Sequence, residues 1–146
     1  NRDAHDYNDD GFSDILKMDS KTLGFRGYYK TSAHSKLTAE YHHIGEYRRG
    51  GDNIEEPPHM AEIAEDVRHQ IDGGSLRFNY FAPDSRHFAD VYVSTQGIKR
   101  NSYYGTGKDP NAYGLTKDIT IAAGAQYSYV FDKCLFMPAQ FTVGAE

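Results

Sequence analysis

The stretch ITIAAGAQYSYVF, residues 119–131, alternates between two kinds of side chain. Ile, Ala, Tyr and Phe occupy its odd-numbered positions, whereas small or polar residues occupy the even-numbered positions from 120 to 128. Successive side chains of a strand point to opposite faces, so a period of two predicts a β-strand with one apolar and one polar face. The apolar face is long, and it must meet either a protein core or a lipid bilayer.

Five further segments carry the same alternation. They are residues 21–30, 36–44, 75–82, 87–96 and 140–146. Short connections at 31–35, 83–86 and 132–138 take turns with long polar segments at about 46–66 and 100–117. This rhythm predicts an all-β fold, an antiparallel up-and-down meander of about six strands with its turns at one end and its loops at the other.

The composition excludes several classes of protein. Only 38% of the 146 residues are hydrophobic, yet 12 Tyr and 8 Phe are more aromatics than a disordered chain carries. A net charge of −5 gives no general attraction to nucleic acid. The single cysteine excludes an internal disulfide framework, and no apolar run is long enough for a transmembrane helix. The chain starts in an Asp-rich loop and stops within an alternating strand, so we expect it to be a piece of a longer protein.

The polar faces of the predicted strands favour a transmembrane barrel over a soluble sandwich. They carry charged and amide side chains at a density that suits a hydrated interior: Arg26, Glu40, Arg77, Asp90 and Gln126. Tyrosines lie near the strand ends, where the aromatic girdles of membrane barrels lie. Both observations predict that the apolar faces contact lipid.

Three stretches resemble the barrel of a known family. Residues 24–52 (GFRGYYKTSAHSKLTAEYHHIGEYRRGGD), 100–118 (RNSYYGTGKDPNAYGLTKD) and 123–131 (AGAQYSYVF) are similar to the mid-barrel region of TonB-dependent outer-membrane receptors of the cobalamin and ferric-siderophore type. The resemblance implies that residues 1–146 are part of a 22-stranded transmembrane β-barrel, without the plug domain, and with loop insertions at about 46–66 and 100–117.

The same resemblance implies a function without covalent chemistry. The parent protein would bind a scarce small-molecule nutrient at the bacterial outer membrane and import it, contacting outer-membrane lipid, and TonB through the absent plug domain. Loop residues with aromatic, charged or amide side chains are the candidates for the ligand mouth. They are Tyr47, Arg48, Arg49, Asp52, Asn53, Arg100, Asn101, Tyr103, Tyr104, Lys108, Asp109 and Asn111.

The stretch DYNDDGFSD at residues 6–14 is a candidate calcium loop. Its oxygen-bearing side chains alternate before a glycine, as in the first half of a calcium-binding loop, but a lysine occupies the place of the final bidentate glutamate. The alternative interpretation is a plain turn rich in Asp and Asn. The candidate calcium ligands are Asp6, Asn8, Asp10 and Asp14.

Two further interpretations concern the loops. Residues 55–67 (EEPPHMAEIAEDV) have apolar side chains at helical spacing after two prolines, which predicts a short amphipathic helix. A soluble extracellular β-sandwich that binds carbohydrate, with Tyr103 and Tyr104 as stacking surfaces, is the alternative to the receptor. A glycoside-active β enzyme is a more distant third.

Overall fold

The computed structural model describes all 146 residues, and these residues form strands and no α-helix. The strands are β1 (Lys17–Ser32), β2 (Ser35–Gly51), β3 (Ile63–Phe81), β4 (His87–Thr106), β5 (Tyr113–Cys134) and β6 (Met137–Ala145). They form one antiparallel sheet in the order β1-β2-β3-β4-β5-β6, with β1 and β6 at its unclosed edges. The all-β, six-stranded meander predicted from the alternation is therefore confirmed. None of its elements is a helix with the length and apolar character that crossing a membrane requires.

Both long loops are shorter than the predicted 46–66 and 100–117. The connections outside the strands are residues 52–62 and 107–112. Polar residues continue the strands because their side chains pair on the sheet surface: Glu46 lies 2.8 Å from Arg48 and 3.8 Å from His69. Polar composition alone therefore marked the loop boundaries in the wrong places.

The predicted helix at residues 55–67 is wrong. Only a single 3-10 turn forms, at Pro58–Met60, and β3 begins at Ile63. The Asp52 carboxylate accepts hydrogen bonds from the backbone N–H groups of Glu62 and Ile63, which fixes the chain at the start of the strand. Pairing within the sheet therefore overrides the helical spacing of the apolar residues.

The chain divides into two compact units. The loop unit comprises residues 1–23, 43–72 and 97–119, and it contains the two long connections. The turn unit comprises residues 24–42, 73–96 and 120–146, and it contains the three short turns.

The turn unit carries a continuous apolar face that nothing in the chain covers. Ile121, Val91 and Phe78 are exposed by 71%, 50% and 39%. Neighbouring strands align their apolar residues, since the Phe25 ring lies 5.9 Å from that of Tyr41, and Tyr127 pairs with Val143. We call this surface the apolar face. Its large residues are Phe25, Tyr29, Leu37, Tyr41, Leu76, Phe78, Tyr80, Val91, Val93, Ile121, Tyr127, Phe131, Phe141 and Val143.

The opposite face of the turn unit is polar and cross-linked by ion pairs. Arg26 Nε lies 2.8 Å from Glu40 Oε1. Arg77 Nε donates to both Asp90 carboxylate oxygens, at 2.9 and 2.7 Å, and the Asn79 amide donates to Asp90 Oδ2 at 3.0 Å. The predicted segregation of charge to one side of each strand is therefore seen here, and we call this surface the polar face.

The loop unit contains the four buried apolar residues of the chain. They are Ala61, Ala64, Val67 and Tyr103. Three of these, all except Val67, form a cluster to which the partly buried Ala112 adds. The core is small, and it lies where the two long connections meet their strands.

Candidate functional site

The two long connections of the loop unit pack against each other. The backbone N–H of Gly107 donates to the Glu62 carbonyl at 2.7 Å, and Lys108 Nζ lies 3.0 Å from Glu62 Oε1. His59 Nδ1 and the Tyr113 hydroxyl are 2.7 Å apart. These contacts join residues 52–62 to residues 107–113, the two segments that carry the predicted ligand-mouth residues Asp52, Asn53, Lys108, Asp109 and Asn111.

Arg49 lies inside this region and does not face solvent. Its side chain is 1% exposed, and its guanidinium donates to the carbonyls of Gly50, Asp52 and Asn53. Five fixed donors suit the task of satisfying several loop carbonyls at once. Arg49 was predicted to contact ligand, but its burial makes it a support for the loop that follows β2.

Tyr103 is buried in the same way. It is 1% exposed, its ring lies 4.8 Å from that of Tyr113, and its hydroxyl donates to the Asp109 carbonyl at 3.0 Å. Burial, together with the negative charge of Asp109, raises the pKa of the Tyr103 hydroxyl above its usual value. The ring cannot serve as a stacking surface for carbohydrate, so only Tyr104 of the predicted pair remains available.

Asp52 lies at the start of the connection between β2 and β3 and fixes the end of that connection. Its partial burial raises the pKa of the carboxyl, but hydrogen bonds from the backbone N–H groups of Ile63 and Glu62 outweigh that effect, so the net pKa is lowered. The neighbouring Asn53 has φ of 47°, a left-handed conformation that asparagine tolerates well. Asp52 and Asn53 thus build a turn, and only the Asn53 side chain faces outward.

Other predicted residues remain accessible to a ligand. Tyr104 is 53% exposed, and Arg100 donates to its hydroxyl at 2.6 Å. Arg68 lies 4.7 Å from the centre of the Tyr47 ring, and burial together with the Asp66 carboxylate raises the pKa of Tyr47. The remaining exposed or half-exposed candidates are Arg48, Asn101, Lys108, Asp109 and Asn111.

A cleft of about 430 Å³ lies in the loop unit beside Tyr104. Phe12, Leu16 and Ile63 line it with apolar groups, and Glu65 adds a carboxylate. Its size falls within the range of small-molecule sites, which are mostly apolar with few polar groups. Sequence analysis missed Phe12, Leu16 and Ile63, because the alternation says which face a residue occupies but not which distant segments meet.

The backbone of this cleft depends on glycine. Gly51 has φ of 108°, and a Cβ at that position would lie 2.0 Å from the Ile63 carbonyl oxygen. A Cβ at Gly50 would lie 2.1 Å from Leu16 Cδ2. The close approach of Leu16 and Ile63 therefore explains why the EYRRGGD segment has glycine at positions 50 and 51.

The candidate calcium loop is organised by its own side chains. The Asp6 carboxylate accepts backbone hydrogen bonds from Asn8 and Gly11, and Asp14 accepts one from Tyr7. Slight desolvation raises the pKa of Asp6, and these backbone donors more than offset it, so the pKa is lowered. The chain contains no group of three or more His, Cys, Asp or Glu side chains placed to hold a metal ion. Calcium binding at Asp6, Asn8, Asp10 and Asp14 stays a prediction.

Comparisons of the chain with known protein families, with curated proteins and with solved structures returned no match.

Proposed function

We propose that the chain is part of the β-barrel of a bacterial outer-membrane receptor that binds cobalamin or a ferric siderophore and imports it with energy coupled through TonB. In this proposal TonB acts on a plug domain carried elsewhere in the receptor. The observation that supports the proposal best is the apolar face of the turn unit. Leaving apolar surface in water costs about 25 cal/mol per Å², so a face of this size needs a non-aqueous neighbour.

The contrast between the two faces of the turn unit supports lipid as that neighbour. The polar face holds the Arg26–Glu40 pair and the cluster of Arg77, Asn79 and Asp90. Charged groups are expensive in hydrocarbon and favourable in a hydrated interior. In this proposal the apolar face contacts acyl chains and the polar face lines the barrel interior.

The cleft of the loop unit supports the binding of a nutrient. Exposed Phe12, Ile63 and Tyr104 can contact the apolar part of a ligand, and Glu65 with the nearby Arg100 can bind its polar groups. Arg49 and Tyr103 hold the loops that border this cleft. Recognition needs no covalent step, in keeping with a receptor and not an enzyme.

The soluble carbohydrate-binding sandwich has less support. A sandwich needs two sheets whose apolar faces meet, and the six strands of this chain form one. The second sheet would have to come from outside the 146 residues.

Lipid contact can be tested by a cysteine scan along β5 in a Cys134→Ser background. Single cysteines replacing Ile121, Ala123 and Ala125 are compared with those replacing Ala122, Gln126 and Ser128, each labelled with a polarity-sensitive dye and folded into vesicles that contain brominated lipid. We expect strong quenching at the first set and weak quenching at the second. Equal quenching of both sets, or a folded chain that leaves the vesicles, would contradict the proposal.

Nutrient binding needs a separate measurement. Cyanocobalamin and a ferric siderophore are each titrated against the chain in detergent micelles, with tyrosine fluorescence as the readout. We expect saturable binding of one of them. Loss of the Tyr104 ring in Tyr104→Ala should raise the Kd at least about tenfold, which corresponds to about 1.4 kcal/mol of binding free energy. The control is Tyr28→Ala, which removes an exposed tyrosine of the turn unit (71% exposed, against 53% for Tyr104). If the cysteine scan shows lipid contact at every second residue but neither compound binds saturably, the proposed barrel stands and the proposed nutrient binding fails.

A further inference from the structure

The hairpin between β5 and β6 ends in an unusual loop. Leu135 and Phe136 form its two residues, between the paired Cys134 and Met137. They are the two most exposed large apolar side chains of the chain, at 88% and 78%. Apolar side chains at a hairpin tip are unfavourable in water, because the tip has no neighbouring surface to cover them.

The backbone of the loop does not explain these residues. Leu135 has φ of 60°, a conformation in which two-residue hairpin loops favour Gly or Asn. An apolar residue is therefore present where the local conformation favours another type, and its side chain needs a separate explanation.

The other short turns of the turn unit are polar and internally bonded. In the β1–β2 turn, the Ser35 hydroxyl lies 2.6 Å from that of Thr31 and 2.7 Å from that of Ser32. In the β3–β4 turn, the Asp84 carboxylate accepts the backbone N–H of Arg86 at 3.0 Å. The same unit thus has two polar turns and one apolar turn.

Both strands that flank the tip contribute to the apolar face. Phe131 precedes it on β5, Phe141 follows it on β6, and both are exposed. An ion pair between Arg86 and Asp132 and a hydrogen bond from the Val130 backbone N–H to the Arg86 carbonyl join the hairpin to the β3–β4 turn. Apolar residues of both strands therefore flank the loop, with Asp132 and Lys133 between Phe131 and the tip on β5.

We propose that Leu135 and Phe136 insert into the boundary between headgroups and acyl chains of the lipid leaflet at this end of the strands, and anchor the hairpin there. The inference rests on the proposed lipid contact of the apolar face. Aromatic side chains favour this layer of a bilayer, and the preceding Lys133 can extend its ammonium to lipid phosphate while its methylenes stay in the apolar layer. The two polar turns would remain in water.

The native cysteine next to the tip makes the inference testable on the full chain. Cys134 is the only cysteine and is exposed, so it can be labelled directly with a polarity-sensitive dye. The chain is folded into phosphatidylcholine vesicles that contain lipids brominated either near the headgroup or near the end of the acyl chain. We expect a blue-shifted emission that the shallow bromines quench more than the deep ones.

Two probes in the Cys134→Ser background serve as controls. An Ala33→Cys probe in the polar β1–β2 turn should emit as in water and escape quenching, and an Ile121→Cys probe should be quenched by the deep bromines. If the Ile121 probe is quenched while the Cys134 probe behaves like the Ala33 probe, the tip inference fails and the proposed function stands. If the Ile121 probe is also unquenched, both fail.

Variants of the tip complete the test. Leu135→Gly suits the positive φ, and Phe136→Ser keeps the loop length, so the hairpin should still form. Together they should reduce quenching of the Cys134 label to the level of the Ala33 probe and leave the Ile121 probe unchanged. Unchanged quenching of the Cys134 label would overturn the proposal. So would a blue shift that grows with protein concentration and is insensitive to bromine, because a second copy of the chain would then cover the tip.

Discussion

The loop unit and the turn unit treat apolar side chains in opposite ways. All four buried apolar residues of the chain lie in the loop unit, and none lies in the turn unit, although the turn unit has most of the large apolar side chains. The loop unit therefore supplies its own small core. The turn unit pairs charged groups on its polar face and leaves its apolar face exposed. In the proposed function, water surrounds the loop unit and lipid covers the apolar face of the turn unit.

The comparison also separates two uses of the same residue type. Tyr103 is a core residue that holds two loops, whereas its neighbour Tyr104 is exposed beside a cleft. Tyr127 and Tyr129 lie on β5 in the turn unit, and their ring centroids are 6.0 and 4.7 Å from that of His87. Tyrosine content alone therefore does not identify a binding surface.

The largest effect is expected from Tyr103→Ala. Truncating a large buried aromatic costs about 3–5 kcal/mol, and here it would also leave the Asp109 carbonyl without its donor. We expect backbone amides of the loop unit, such as those of Met60 and Gly107, to lose protection in native-state hydrogen exchange. Amides of the turn unit should keep theirs.

Tyr104→Ala is the matched control for that substitution. An exposed side chain away from special features changes stability by about 0.5 kcal/mol or less, so hydrogen exchange in the loop unit should change little. Equal loss of protection in both variants would mean that the buried cluster is not what holds the two loops together.

A similarly large effect is expected from Ile121→Arg on the apolar face. Arginine on the lipid face of a barrel costs about 2–4 kcal/mol near the bilayer midplane. The variant should partition from urea into vesicles far less than the native chain, as measured by tyrosine fluorescence across a lipid titration.

Ala122→Arg is its control, because it places the same charge one residue away on the polar face. Ala122 lines an open cleft with Glu40 and Gln96, so the new side chain has space there, close to the Arg26–Glu40 ion pair. Its partitioning should stay close to that of the native chain. If both arginines weaken partitioning equally, the two faces of the turn unit are not distinguished by lipid.

The alternation of side chains was enough to predict the sheet, because period two reports directly on which face a residue occupies. It predicted all six strands and the short turns. It failed where residues far apart in sequence decide the structure. Asp52 starts β3 by accepting the backbone N–H groups of Glu62 and Ile63, so the helical spacing after residue 55 was misleading.

The candidate site was predictable only as a region. Loop composition identified Arg100 and Tyr104, which remain accessible, but it also selected Arg49 and Tyr103, which are buried. Arginine and tyrosine can satisfy loop carbonyls or bind a ligand with the same groups, and only burial distinguishes these roles. The cleft residue Phe12 comes from a segment that no motif connected to the loops.

Asp52→Ala should have a moderate effect confined to the loop unit. It removes the acceptor of two exposed backbone N–H groups at the start of β3, and the net contribution of a typical hydrogen bond is about 0.5–1.5 kcal/mol. Asp52→Asn, which keeps one acceptor oxygen, should cost less. Hydrogen exchange of the amides of Glu62 and Ile63 measures both.

The pH dependence of the same contact has a definite sign. The pKa of Asp52 is lower in the folded chain than in the unfolded one. The contribution of its carboxylate to the stability of the folded chain is therefore fully present above the ordinary aspartate pKa of about 4. The contribution is lost as pH falls further and the folded carboxyl takes up a proton. Protection of the Ile63 amide should therefore fall below about pH 4 in the native chain, and fall less in Asp52→Asn. Equal pH profiles would assign the acid sensitivity to another carboxyl.

The smallest effect is expected from calcium on residues 6–14. If the loop binds with the affinity of an extracellular module, a Kd of about 0.1–1 mM, then 1 mM calcium stabilises the loop unit by about 0.4–1.4 kcal/mol. A modest rise in the protection of the Gly11 and Phe12 amides should report it, with no change in the turn unit. Magnesium at the same concentration should give less, because it demands a stricter geometry.

Asp10→Asn and Asp9→Asn separate a calcium site from a general response to divalent ions. Asp10 is a candidate ligand, and its carboxylate already accepts the backbone N–H of Phe12. Asp9 is not a candidate ligand, and its φ of 57° is one that asparagine tolerates, so its replacement changes charge and little else. The calcium response should disappear with Asp10→Asn and persist with Asp9→Asn. If both variants lose it equally, the loop responds to its net charge, and residues 6–14 are a turn organised by its own hydrogen bonds.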